Sequence, residues 1–197
     1  MVPFTRPPAA EVPHAAGASI ISKGPPPVKT SLPEPYRLIW EMRAITLYII
    51  RIRRAERDPA DGRMILTEEI KVKTGRRNEF VDITSRVREI VGKSGVKDGV
   101  CHVFVPHTTA AVTINEKADP AVASDISKTL EKVIPAGWGY GHSEGNSDSH
   151  IKSSLVGASE LVIVSGGEMV LGTWQAVFFC EFDGPRSRRC VVRVVSD

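Results

Sequence analysis

The stretch from Gly139 to His150 concentrates side chains that can do chemistry. It places His142, Glu144 and His150, together with Asp148, among glycines and serines and almost no apolar residues. Burying unpaired charge costs several kcal/mol, so a segment of this composition does not belong in a core. Polar, glycine-rich connections of this kind often carry binding or catalytic groups. We therefore predict a site-forming loop.

A third imidazole is available from His107, which follows a proline at a break in an apolar run. Three neutral imidazoles with one open position are the usual ligand set of a catalytic zinc. The spacing alone is weak support, because no HExxH or HxH pattern is present. The alternative is that His107 packs beneath the loop while His142 and His150 are solvated. His102, inside a predicted strand, is interpreted as a core histidine.

Carboxylates and hydroxyls surround these histidines in the sequence. Glu116 and Glu144 are candidates for moving a proton, because a carboxylate can act as a base or orient an imidazole. Asp119 has a sufficient structural role as a helix cap. Four further candidates would hold an anion through hydroxyl groups: Thr108, Thr109, Ser153 and Ser154. Trp174 and Gln175 would frame a flat ring. A core tryptophan is the alternative for Trp174.

Three arginines near the C-terminus leave two interpretations open. Arg186, Arg188 and Arg189 could contact an anion or form a solvated turn. Neither a GxxxxGK[ST] nor a GxGxxG loop is present, which disfavours ATP and dinucleotides as ligands.

The periodicity of apolar residues predicts the elements that position these groups. Helices are expected to begin at a Thr84 cap, at Asp119-Pro120 and at a Ser149 cap, the last with Ile151 and Leu155 facing inward. Strands are predicted at 65–74, 79–83, 100–105, 108–114, 161–164, 169–171, 174–182 and 190–195. The order of these elements predicts an α+β domain with a mostly antiparallel mixed sheet and three helices.

The first 63 residues differ in composition from the rest of the chain. Residues 1–35 hold nine of the fourteen prolines and are predicted to be disordered. Residues 36–57 have apolar residues at helical spacing followed by arginines, which predicts a basic amphipathic helix. The alternative is an upstream extension without function, with Met64 as the genuine start. We therefore predict an N-terminal extension at 1–63 and one domain at 64–197.

Charge and cysteine content exclude several classes of protein. Residues 64–197 hold sixteen Lys and Arg against seventeen Asp and Glu, which argues against a nucleic-acid-binding surface. No apolar run is long enough to cross a membrane. Cys101, Cys180 and Cys190 each lie in an apolar run, as expected for reduced thiols of a cytoplasmic protein.

Several motifs, in one order, resemble the YjbQ-like family, whose members are also called secondary thiamine-phosphate synthase enzymes. They begin with the sequence HTTAAVTINE at His107–Glu116 and Asp119-Pro120, and continue with HSEGN at 142–146, HIKSS at 150–154 and GTWQ at 172–175. The resemblance covers roughly Met64 to Val195 and adds Asn146 to the candidate substrate contacts. It does not cover residues 1–63.

The resemblance implies a homotrimer with sites near subunit boundaries. It also implies a weak activity that joins a pyrimidine diphosphate to a thiazole phosphate, giving thiamine phosphate and pyrophosphate. His107, His142 and His150 would hold a divalent metal, zinc or alternatively magnesium, and His107, Glu116 and Glu144 would be catalytic. Two alternatives remain open: a non-catalytic trimer that binds a phosphorylated small molecule, and a zinc-dependent hydrolase using the same histidines.

Overall fold

Nine strands and three helices form residues 55–197, the part of the chain described by the structure, which is a computed structural model. The strands are β1 (Glu56–Arg57), β2 (Met64–Lys73), β3 (Glu79–Asp82), β4 (Gly99–Phe104), β5 (Ala110–Glu116), β6 (Ser159–Ser165), β7 (Glu168–Met169), β8 (Gln175–Glu181) and β9 (Ser187–Ser196). The helices are α1 (Thr84–Ser94), α2 (Pro120–Val133) and α3 (Ser147–Val156). The predicted α+β class with three helices is confirmed.

The strands divide into two antiparallel sheets. The larger sheet has the order β1-β2-β9-β4-β6-β7, and the smaller has the order β3-β8-β5. β4 pairs with both β9 and β6 and is therefore an interior strand of the larger sheet. β8 pairs with β3 and β5 instead of with β9, the next strand in the chain. This division into two sheets is not visible in the strand pattern alone.

The main core lies between the two sheets. Side chains of the larger sheet such as Leu66, Val103 and Val192 pack with Val87 of α1 and Phe179 of β8. A second apolar cluster covers the opposite face of the smaller sheet, where Leu130 of α2 and Val156 of α3 pack on residues Ala111, Ala176, Phe178, Cys180 and Phe182. The smaller sheet is therefore the middle layer, with both faces covered, which explains why β8 reads as an uninterrupted apolar run.

All three cysteines are free and buried, as predicted. Burial raises the pKa of Cys101 and of Cys190 to about 12. The pKa of Cys180 is also raised, chiefly by burial. These thiols stay protonated at neutral pH and contribute packing instead of chemistry.

The outer face of the larger sheet is partly apolar and exposed. Phe104, Leu161 and Ile163 are 40%, 60% and 59% exposed. The prediction that His102 is a core histidine is wrong, because it lies half-buried on this face opposite Leu161 and Arg193. The inward positions of β4 are taken by Cys101 and Val103, and strand alternation therefore directs His102 outward.

The helix ends are partly as predicted. Asp119 accepts a hydrogen bond from the backbone N–H of Ala121 at 2.8 Å and is the N-cap of α2, and Gly95 ends α1 with a φ of 69°. Thr84 does not cap α1, because its hydroxyl accepts from Val177 N–H, while Asp82 accepts from Thr84 N–H at 2.8 Å. The N-cap residue is Ile83, which provides no side-chain cap, and of the N–H groups at this helix start Asp82 satisfies only that of Thr84.

The prediction for α3 is wrong in both its start and its buried face. α3 begins at Ser147, and Ser149 is buried with its hydroxyl donating to the carbonyl of Phe182 at 2.5 Å. Ile151 and Leu155 are 38% and 68% exposed. The helix instead buries the polar residues Asp148, Ser149, Lys152 and Ser153. An ion pair inside the protein satisfies this face, so apolar periodicity does not indicate which side is covered.

The predicted disorder of residues 1–35 and the predicted helix up to residue 54 lie outside the described residues. At the end of that predicted helix, Glu56 and Arg57 instead form β1, which pairs with Ile65 and Met64 of β2. The described fold therefore continues on the N-terminal side of Met64.

Between residues 55 and 197, no helix has the length and apolar character needed to cross a membrane.

Candidate functional site

The break between β4 and β5 lies against the polar helix α3. The carbonyl of Thr108 accepts a hydrogen bond from the Ser153 hydroxyl at 2.6 Å. Ser153 is almost one turn beyond His150, to whose carbonyl the same hydroxyl bonds at 3.1 Å. His107 and His150 are therefore brought to the same region of the molecule, as the sequence predicts.

His107 is held as a neutral imidazole. Its Nε2 accepts the backbone N–H of Arg189 at 3.0 Å, which places the ring proton on Nδ1. Burial lowers the pKa of His107 below its usual range, and the nearby charges of Arg188 and Arg189 lower it further, partly opposed by Glu181. At neutral pH the side chain is therefore uncharged, and its remaining polar group is the Nδ1–H donor.

His142 and His150 form a pair beside an acidic side chain. Their rings are 5.3 Å apart between centroids and nearly perpendicular, with an interplanar angle of 81°. Glu144 places Oε2 at 3.9 Å from His142 Nε2, and its side chain is 73% exposed. The loop therefore assembles two imidazoles and one carboxylate at the protein surface.

The predicted three-histidine ligand set is not formed within one described chain. No group of three or more His, Cys, Asp or Glu side chains in residues 55–197 lies close enough together to hold a metal ion. The Nε2 lone pair of His107 is also occupied by the Arg189 N–H. The residues therefore do not fit a metal in the arrangement described, and metal binding stays a prediction.

The residues predicted to hold phosphate use their donors inside the protein. The hydroxyls of Ser153 and Ser154 both donate to the carbonyl of His150. Asn146 donates its amide to Asp183 Oδ2 at 3.1 Å. The start of α3 already has the buried carboxylate of Asp148 in its first turn. A phosphate at this helix start would find few free donors.

The loop nevertheless contains polar atoms without partners. Asn146 Oδ1 and the Tyr140 hydroxyl are two of three buried side-chain N or O atoms that lack a hydrogen bond in residues 55–197. Unpaired buried polar atoms are rare and call for an explanation. A buried water could donate to Asn146 Oδ1 in the same way as a bound molecule, so a substrate-contacting role for this residue stays a prediction.

The remaining predicted site residues lie at the other end of the smaller sheet. Glu116 ends β5 opposite Gln175 in the register, whereas Thr109 immediately precedes the start of β5. The six residue steps along β5 span roughly 20 Å. Gln175 accepts from Gly172 N–H at 2.8 Å, and Trp174 is 64% exposed, so the core interpretation of Trp174 is wrong. Within one chain, Glu116, Trp174 and Gln175 are therefore distant from His107.

Sequence reasoning missed the buried ion pair that supports the His107 region. Arg188 donates to both carboxylate oxygens of Glu181, with Nε–Oε2 at 2.7 Å and Nη2–Oε1 at 2.6 Å. Nη2 also bonds Thr109 Oγ1 at 2.8 Å. The signal was Glu181 itself, because a carboxylate inside an apolar strand needs a cation. Of the other two arginines, Arg186 pairs with Asp183 and Arg189 with Glu69.

Two adjoining cavities share His107 and Arg188 as lining residues. One, of about 450 Å³, is otherwise lined by Phe104, Val105, Pro106, Thr108 and Ala158. The other, of about 420 Å³, is otherwise lined by Glu69, Lys71, Val72, Lys73, Ser187 and Arg189. A larger cavity of about 680 Å³ lies between Arg76–Phe80 and α2. It contains none of the predicted site residues, and we assign the site to the two that meet at His107.

The fold and this site define a small α+β protein with a histidine-rich loop beside paired cavities. Residues 68–197 match the family described as UPF0047 protein YjbQ-like, and the chain belongs to that family. A UPF0047 protein of Methanocaldococcus jannaschii is 52% identical over 127 residues, covering 64% of this chain and 92% of the relative. The Bacillus subtilis UPF0047 protein YugU is 44% identical over 66% of this chain and 99% of its own length.

Solved structures of similar proteins agree with the fold. A YjbQ/UPF0047 family protein from Clostridium acetobutylicum has 50% identity and a TM-score of 0.64, covering 64% of this chain and 98% of its own. A protein of unknown function from Sulfolobus solfataricus has 36% identity and a TM-score of 0.67, covering 68% and 99%. The predicted family is therefore confirmed.

Proposed function

We propose that this protein is a transferase acting on phosphorylated heterocycles, with a thiamine-phosphate synthase activity. The observation that carries the proposal is the position of His107 and Arg188 between two cavities of different character. The cavity lined by Phe104 and Pro106 suits a flat, partly apolar ring, and the one lined by lysines suits phosphate. A phosphorylated heterocycle combines both groups.

In the proposed reaction, the carbon–oxygen bond of the pyrimidine diphosphate breaks, and its electron pair leaves with pyrophosphate. The same carbon forms a bond to the thiazole ring nitrogen. The protein must therefore hold the two rings together, exclude water from the carbon and stabilise negative charge on the departing group. Glu144 beside His142 would accept or position a proton, and His107, whose Nε2 is occupied by the Arg189 N–H, would position the substrate at the junction of the cavities.

A homotrimer is part of the proposal. Two observations support it: the exposed apolar side chains on the outer face of the larger sheet, and the separation of Glu116, Trp174 and Gln175 from His107 within one chain. A site shared between subunits would allow these two groups of residues to meet. A divalent metal, zinc or magnesium, held by His107, His142 and His150 in the assembled protein would add positive charge, but His107 would first have to release the Arg189 N–H from Nε2. The steps above do not require the metal.

We expect His142→Ala to lower kcat/KM for thiamine phosphate formation by about 100-fold or more, the scale of a lost acid–base or ligand group. The measurement is product and pyrophosphate formation by purified protein, with metal content determined on the same samples. Ser143→Ala, an exposed neighbour in the loop, is the control and should keep activity within about twofold. Unchanged activity in His142→Ala would reject the assignment.

Other outcomes of this assay identify the alternatives. Cleavage of the diphosphate by the wild-type protein without coupling would indicate a hydrolase. Binding of the phosphorylated substrate without any turnover would indicate a non-catalytic binding protein. A metal that is present in the wild type and absent from His142→Ala would support the histidine ligands.

We expect Leu161→Glu to convert the trimer into monomers, because it introduces a charge into the apolar face that the proposed interface buries. Mass in solution is measured by sedimentation equilibrium. Ser85→Glu adds the same charge at an exposed position of α1 and should leave the trimer intact. A monomeric wild type, or a trimer that tolerates Leu161→Glu, would contradict an interface at this face.

A further inference from the structure

The phosphate groups of the proposed substrate need cationic partners that the histidine loop does not supply. The donors of Ser153, Ser154 and Asn146 are used inside the protein, and Asp148 is buried at the start of α3. Phosphate sites in proteins are usually built from lysine, arginine and free backbone N–H groups. Free positive charge near His107 is therefore the feature to look for.

Such charge lies at one end of the outer face of the larger sheet. β2 and β9 pair here so that Lys71 lies directly opposite Arg189, and Lys73 lies opposite Ser187. Like charges directly opposite each other on neighbouring strands destabilise a sheet. The arrangement of Lys71 against Arg189 thus has an electrostatic cost that a bound anion would offset.

The two lysines are also the cations without a carboxylate partner in this cavity. Arg189 Nη1 bonds Glu69 Oε2 at 3.2 Å, and Arg188 is neutralised by Glu181. For Lys71 and Lys73, the described residues 55–197 provide no carboxylate within 4.0 Å of the ammonium nitrogen. The one carboxylate that lines the cavity, Glu69, is thus already compensated by Arg189.

His107 lines both this cavity and the one that contains Phe104 and Pro106. Its Nε2 accepts the backbone N–H of Arg189 at 3.0 Å, which ties the imidazole to the wall of the lysine-lined cavity. A substrate that carries both an anion and a ring would therefore span the two cavities at His107.

We propose that the cavity lined by Lys71, Lys73, Ser187 and Arg189 binds the diphosphate group of the substrate and the pyrophosphate released from it. This inference rests on the proposed function and assigns the anion-binding residues of that site. Two compact ammonium charges flank the anion, Ser187 offers a hydroxyl, and the volume of about 420 Å³ accommodates a diphosphate. A nucleic-acid backbone would need many more phosphate contacts than two free lysines provide.

The test is the affinity of the full-length protein for inorganic pyrophosphate, measured by isothermal titration calorimetry. We expect Lys71→Gln/Lys73→Gln to weaken binding by about tenfold or more, since two charge-assisted contacts are lost. The matched control is Lys128→Gln/Lys132→Gln, which removes two exposed charges from α2 and should leave the affinity unchanged. Circular dichroism and mass in solution verify that both double variants keep the wild-type fold and assembly.

Three results would overturn the inference: no measurable pyrophosphate binding by the wild type, an equal loss in both double variants, or no loss in Lys71→Gln/Lys73→Gln. The proposed function is judged separately by product formation. If the wild type makes thiamine phosphate and the Lys71→Gln/Lys73→Gln variant keeps its kcat/KM, the transferase function is supported and the anion site is rejected. If pyrophosphate binds through the lysines but no product forms, the anion site is supported and the transferase function is rejected.

Discussion

Asp148→Asn is expected to lower the free energy of unfolding by about 3–5 kcal/mol, the cost of leaving a buried charge without its partner. Lys152 is 1% exposed, and its Nζ lies 2.9 Å from Asp148 Oδ2. Asp148 is fully buried and also accepts from Arg77 Nη2 at 2.9 Å. The neutral amide would leave the Lys152 ammonium inside the protein without a carboxylate partner among the described residues.

Substitution of the other partner of the ion pair, Lys152, should lower the free energy of unfolding by less. In Lys152→Met, Asp148 keeps the Arg77 guanidinium, whose side chain is 43% exposed, so the remaining carboxylate is still paired. We therefore expect the loss in urea denaturation to be smaller for Lys152→Met than for Asp148→Asn, with the double variant close to Lys152→Met. Asp125→Asn, at an exposed position of α2, is the control. Equal losses in both single variants would contradict this account.

The stability difference between wild type and Asp148→Asn should also depend on pH. Burial alone raises the pKa of Asp148, but hydrogen bonds and charges from Lys152 and Arg77 outweigh it and lower the pKa below its usual value. A carboxyl with a lowered folded-state pKa stabilises the fold fully above its unfolded value of about 3.9 and loses this contribution as the pH falls further. The difference should therefore shrink below about pH 4.

Arg188→Met is expected to lower the free energy of unfolding by about 3–5 kcal/mol, because it leaves the buried carboxylate of Glu181 without a cation. Glu181 is fully buried, and the Arg188 side chain is 8% exposed. Thr74 and the backbone N–H groups of Phe182 and Asp183 also donate to this carboxylate, but they bring no positive charge. Urea denaturation measures the loss, with Arg88→Met on α1 as an exposed control.

Two further variants separate charge from geometry at this position. Arg188→Lys keeps the charge but loses the two parallel hydrogen bonds, and we expect an intermediate loss on the order of 1–3 kcal/mol. Arg188→Met combined with Glu181→Gln removes both charges and should recover part of the stability of Arg188→Met. A double variant as unstable as the sum of the single variants would show that the two residues do not act as a pair.

His107 provides a second measurement for the same substitution. The charge of Arg188 contributes to the lowered pKa of His107, so Arg188→Met should raise that pKa toward its usual range. NMR titration of the imidazole resonances gives this shift directly. An unchanged pKa would mean that burial and the charge of Arg189 account for the effect.

The sequence by itself determined the family, the α+β class and the order of the elements after Met64. These features depend on local signals such as strand alternation, the Asp119-Pro120 helix start and the Gly95 helix end. It also selected His107, His142 and His150 as candidate site residues, because imidazoles in a polar loop and at a strand break have no evident role in a core; a site shared by all three stays a prediction.

Only the tertiary structure decided which faces are buried and which cations are free. α3 buries Asp148 and Lys152 and exposes Leu155, since their ion pair within the helix and the long-range pair of Asp148 with Arg77 satisfy its polar side. Likewise, the register of β2 and β9 places Lys71 opposite Arg189 across a gap of more than one hundred residues in sequence. Long-range pairing sets the electrostatics of this site, and no local pattern in the chain specifies it.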